Sequence, residues 1–211
     1  LMIFEDIEKE EEVAASVMMI GDVYSQWSQT EKAILFFERS LSIHQKLGDH
    51  GGVLQSENKL AQSLMAMGRF EEAQNHLERA LVIADENDAI VPLANLYTSL
   101  GELHYHQFQL NTAQKYFLDA LEMKRSIGNQ GDIAIALSDV GRVYHESGDT
   151  PKGVFYYEQG QQLAESVDEN AISAEIYLQM GELYMQEADQ NNAIQSLLAG
   201  LNIAEQIQDY L

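Results

Sequence analysis

The sequence has no cysteine, two prolines and one tryptophan in 211 residues, and its 12 lysines and arginines are outnumbered by 34 aspartates and glutamates. Without cysteine there is neither a disulfide nor a thiolate metal ligand, although that absence does not choose a redox compartment. The shortage of cations gives a formal charge of −22 and a pI near 4.4. It opposes binding to nucleic-acid phosphates or an anionic membrane surface, and leaves protein or peptide partners of neutral or basic character as the expectation. After Lys152 there is no lysine or arginine at all, so the negative field is expected to be strongest toward the C-terminal end. No stretch approaches the roughly 18 consecutive apolar residues of a membrane span. Leu1-Met2-Ile3-Phe4, followed at once by Glu5-Asp6, has neither the basic region nor the apolar core of a signal peptide. A cytoplasmic location is the default.

What is present is a pattern that returns every 40 residues without an insertion. Ala73, Leu77, Ala80 and Leu81 recur as Ala33, Phe37, Ser40 and Leu41, as Ala113, Phe117, Ala120 and Leu121, and in weaker form from Gly153 and from Ala193. Each period holds two helical patterns of 3.6-residue spacing. The first, helix A, is seen in Ile133, Leu137, Val140, Gly141 and Tyr144; the second, helix B, has small residues flanking a large one. Small residues at fixed points let two backbones approach while large ones fill the gap between pairs. Gly68-Arg69-Phe70 and Gly148-Asp149-Thr150 separate A from B, and Gly48 to Gly52 and Gly128 to Gly131 separate B from the next A. Thr150 reads as a capping residue ahead of Pro151 at the first helical position, and Pro92 opens the third helix A. The expectation is an all-α array: the end of a preceding repeat at 1–9, then five repeats at 10–50, 51–90, 91–130, 131–170 and 171–211, forming a single domain and a segment of a longer repeat protein.

The arrangement resembles the tetratricopeptide repeat family, in which Trp-xx-Leu-Gly-xx-Tyr on the first helix precedes Ala, an aromatic and Ala on the second. Ile20-Gly21-xx-Tyr24, Leu100-Gly101, Val140-Gly141-xx-Tyr144 and Met180-Gly181-xx-Tyr184 carry the first half. The tryptophan column departs from the pattern, holding Val17, Glu57, Tyr97, Leu137 and Tyr177, and Ala61 stands for one of the glycines. The period of 40 exceeds the usual 34, which predicts a longer helix B and is similar to scaffold proteins of the LGN class and to bacterial regulators. The resemblance implies a right-handed superhelix of antiparallel helix pairs whose helices A line a concave face that binds protein segments. It also implies no chemistry of its own, either as a scaffold or as a peptide-sensing domain that controls a fused cyclase, kinase or DNA-binding output.

With that geometry the groove-facing residues include Asp22, Asn58, Gln62, Met65, Glu102, Tyr105, Arg142, His145 and Glu182, a mainly acidic wall suited to a basic or polar segment. The carboxylate clamp of the family is not reproduced. His104 and His106 lie at i, i+2, on different faces of one helix, so no metal pair is expected there, and His104 reads as core. The run from Glu5 to Glu12 spans a helix end and the next helix start, where acids suit the N-terminal dipole. Gly48-Asp49-His50-Gly51-Gly52 lacks the Gly-Lys-Ser/Thr ending and the strand of a phosphate loop. Trp27 is expected to pack under its turn, and Phe36-Phe37 and Tyr156-Tyr157 in the core. Neither a cofactor nor an enzymatic constellation is expected. Ile194, Leu197, Leu198 and Leu201 on the last helix B suggest self-association through bare solenoid ends.

Overall fold

The computed structural model describes residues 2–87 and 89–209, and every regular element among them is a helix. They are α1 (Met2–Gln26), α2 (Thr30–Leu47), α3 (His50–Ala66), α4 (Phe70–Glu86), α5 (Ile90–His106), α6 (Leu110–Ile127), α7 (Gln130–Glu146), α8 (Thr150–Ser166), α9 (Asn170–Gln186) and α10 (Gln190–Asp209). Odd-numbered helices are the A helices and even-numbered ones the B helices.

What cuts the chain is a left-handed residue at a spacing of 20. Gly48, Gly68, Gly128 and Gly148 have positive φ, and so do Ser28, Phe108, Asp168 and Ala188. Glycine marks only half of these turns in the sequence. At the others the hairpin geometry imposes a conformation that L-residues adopt at a cost of about 1 kcal/mol. Position 8, the same column as Gly48, holds glutamate and stays helical, so α1 runs unbroken through 25 residues. The expected break between a preceding repeat at 1–9 and the first helix A, with the acidic run straddling it, is therefore absent. Glu8-Lys9-Glu10-Glu11 are good helix formers where Gly48-Asp49-His50-Gly51 are not.

Other local expectations are corrected in the same way. The cap of α8 is Asp149, whose Oδ1 accepts the Lys152 N–H at 3.3 Å, and Thr150 is already helical. Asp49 caps α3 likewise, through the Gly52 N–H at 3.1 Å, so His50 to Gly52 form its first turn rather than a loop. The longer period is not loaded onto helix B: α3 and α4 are both 17 residues.

Internal packing divides the chain into two units, residues 1–108 and 109–211. The third sequence repeat thus gives one helix to each. In the first unit each of α1 to α4 packs on the helix that follows it and α3 also touches α5; in the second each of α6 to α9 packs on the helix that follows it, with α7 touching α9. The interiors follow the repeat columns. Ala33, Ala73 and Ala113 are fully buried, as are Phe37, Leu77 and Phe117 to within 1 %. Gly21 is required by the Phe37 ring, which a Cβ would meet at 2.5 Å, and Gly141 by the Gly153 carbonyl at 3.0 Å.

Aromatic stacks fasten an A–B pair in each unit. Tyr24 lies on Phe36 with centroids 5.3 Å apart and Lys32 above it; Tyr144 lies on Tyr156 at 5.4 Å with Lys152 above it. Of each aromatic doublet, Phe37 and Tyr157 enter the core, and Phe36 and Tyr156 are half-buried in these stacks. Trp27 does not pack under its turn and is 66 % exposed.

Candidate functional site

The residues expected to line a groove lie on the A helices of both units, here called the A-helix wall. In the first unit that wall is tied together. Asp22 on α1 meets Lys59 on α3 at 2.7 Å, and Gln62 on α3 donates to Ser99 on α5 at 3.4 Å. Both pairs are 37 residues apart, so aligning residues at intervals of 40 does not reveal them. Lys59 and Ser99 belong to a neighbouring column that sequence reasoning passed over, three residues earlier on the same helix face. Asp22 is consequently half-buried and paired, not a free negative charge. Glu102 and His106 approach at 3.7 Å, and the Tyr105 ring stands edge-on to His106. Met65 is packed, at 8 % exposure, and contributes little accessible area. His104 is half-buried.

In the second unit Arg142 pairs with Asp139 at 3.1 Å and sits 5.7 Å from the Phe117 ring, Ser138 donates to Gln179, and Glu182 is exposed. His145 is nearly enclosed and faces Glu187 at 3.4 Å.

Between successive A helices the wall opens into grooves. The α3/α5 groove, about 250 Å³, is bordered by Gln55, Asn58, Val91, Pro92, Asn95 and Leu96. It offers amides and apolar surface without a charge, and the Asn58 Oδ1 is buried with no hydrogen-bond partner. The α7/α9 groove, about 310 Å³, occupies matching positions and is lined by Ile135, Ser138, Ile172, Glu175, Ile176 and Gln179, among others. Of the residues expected to line the wall, Asn58 and, from the same column 80 residues on, Ser138 border the grooves; Gln55, Asn95, Ile135 and Glu175 were not expected. Their signal is that position 55 precedes Asn58 by one helical turn, a face shared by i, i+3 spacing.

A third feature lies between α3 and α4. Glu57, in the tryptophan column, is 3 % exposed and bonds His76, while Arg79 donates to both of its carboxylate oxygens at 3.2 and 3.3 Å. Burial pushes the carboxyl pKa up. The hydrogen bonds from His76 and Arg79 and their charge outweigh it, leaving the pKa below the ordinary value of 4.5. Glu57 is thus held ionised inside the fold, a structural ion cluster.

Among the described residues no group of three or more histidines and carboxylates is placed to hold a metal, and no helix is long and apolar enough to cross a membrane. The class this fold defines is an all-α repeat protein of antiparallel helix pairs. A tetratricopeptide repeat model matches residues 12–86, 52–126 and 92–166, and a second tetratricopeptide repeat model matches 174–207; the chain belongs to the tetratricopeptide repeat family, a scaffold typical of protein–protein interaction. It is 23 % identical over 129 residues to human SH3 domain and tetratricopeptide repeat-containing protein 2, covering 61 % of this chain and 10 % of that protein. Among solved structures it is similar to a signal transduction ATPase with numerous domains and a tetratricopeptide repeat sensor from Pyrococcus horikoshii. There the TM-score is 0.78 at 20 % identity, over 97 % of this chain and 31 % of that one. It is also similar to the Rap conjugation gene regulator of plasmid pLS20 in complex with the Phr* peptide, with a TM-score of 0.70 at 20 % identity, over 93 % and 63 % of the two chains. The chain spans about a tenth of the curated relative it matches.

Proposed function

We propose that this chain is a non-catalytic binding module that holds a protein segment against the wall of its A helices, as a scaffold or as the sensing part of a regulator. The observation carrying this reading is the pair of grooves between successive A helices, α3/α5 in one unit and α7/α9 in the other, each presenting polar and apolar groups. A surface already in its binding shape loses little entropy on association. The similarity to a peptide-bound Rap regulator and to a sensor of a signalling ATPase supports the sensing variant. The test is hydrogen exchange with a peptide selected on the full chain from a random display library. Protection is expected in the A helices of one groove, α3 and α5 or α7 and α9; protection confined to α4 and α8 would sink the reading.

A further inference from the structure

The geometry points to one ligand chemistry for the α7/α9 groove: we infer that it takes a peptide segment presenting a bulky aliphatic or aromatic side chain next to a lysine or arginine. This rests on the A-helix wall being the binding surface and narrows what that surface selects.

The floor is apolar. Ile176 is buried, Ile172 half-buried, and Ile135 is 42 % exposed across the groove from them. The polar atoms beneath are engaged, since the Ser138 hydroxyl donates to Gln179 Oε1. A cavity of about 310 Å³ accommodates a large side chain whose apolar surface leaves water on entering.

The rim is acidic. Glu175 is exposed beside the floor, and α9, from Asn170 to Gln186, carries no lysine or arginine. Glu169 stands at the mouth, where the missing side chain of Gly131 leaves its carboxylate and Ile172 against the start of α7. The one cation on α7, Arg142, is turned to Asp139. A lysine or arginine flanking the anchor therefore enters a field of its opposite sign, while an acidic flank is repelled. The α3/α5 groove shows that the scaffold does not require this. Its matching positions are Gln55 for Ile135 and Asn95 for Glu175, neutral amides in both places.

The experiment selects peptides from a random display library on the full chain and measures fluorescein-labelled forms of the enriched sequences by anisotropy. Enriched peptides are expected to pair an apolar anchor with a basic neighbour and to bind Ile135→Asp and Glu175→Lys each about tenfold more weakly. Asn95→Ala in the other groove is expected to change affinity less than about twofold. Glu175 is exposed, so Glu175→Lys keeps the test decisive if Ile135→Asp folds poorly by circular dichroism. Peptides that are enriched but insensitive to both α7/α9 substitutions, and weakened by Asn95→Ala, would overturn this inference and leave the A-helix wall standing. Failure to enrich any peptide would overturn both.

Discussion

Helix α3 buries a carboxylate where α7, in the matching column, buries an isobutyl group. Glu57 and Leu137 are each 3 % exposed, yet one is surrounded by His76 and Arg79 and the other has Tyr156 and Gln159 at the corresponding places on its B helix. The two units keep the same hairpin and fill one position by opposite physics. The column demands volume and full pairing, not a particular chemistry. An ion cluster satisfies it only because two partners arrive together from α4, and burying a charge without them is strongly unfavourable. The grooves repeat the lesson, with amides between α3 and α5 and isoleucines beside a carboxylate between α7 and α9.

Exchanging the two solutions should be costly in one direction only. The largest effect is expected from Leu137→Glu, which buries a carboxylate without the histidine and arginine that hold Glu57 and should lower stability by about 3–4 kcal/mol in urea unfolding. Arg125 lines the same cavity as Leu137 but is exposed. Adding Gln159→Arg should recover part of the loss, and a Leu137→Glu variant as stable as wild type would show that the column tolerates charge unaided.

A somewhat smaller loss, about 2–3 kcal/mol, is expected at neutral pH for the double substitution His76→Ala and Arg79→Ala, whereas Glu57→Leu should stay within about 1 kcal/mol of wild type. Here pH gives an independent check. The folded pKa of Glu57 lies below its unfolded value, so the unfolded state takes up protons first on acidification. The stability the cluster contributes is therefore complete above the ordinary value of 4.5 and lost as pH falls through the lowered one. Glu57→Leu should flatten that acid limb of the stability profile; an unchanged limb would mean the carboxylate is not held ionised by its neighbours.

Much of this molecule was legible from residue order. The repeat register, the small and large columns of the B helices and the glycine turns at 48, 68, 128 and 148 are local features, set by helical periodicity and by φ preference. The turns at Ser28, Phe108 and Ala188 were less legible because those side chains do not favour the left-handed region, and the hairpin holds them there. The contacts between A helices were not legible. Asp22 reads as a free acid until Lys59 is brought to it from the next A helix, and Met65 and His145 read as accessible until their neighbours cover them.

The sequence by itself determined the family, the repeat spacing and the scarcity of cations after Lys152, because each follows from composition or from periods short enough to act along one helix or hairpin. Tertiary structure decided which charges are neutralised, which carboxylate is buried and where grooves open between A helices. Those outcomes depend on residues 19 to 41 apart meeting across two packed surfaces. A register kept at 40 residues does not disclose diagonal contacts at 37.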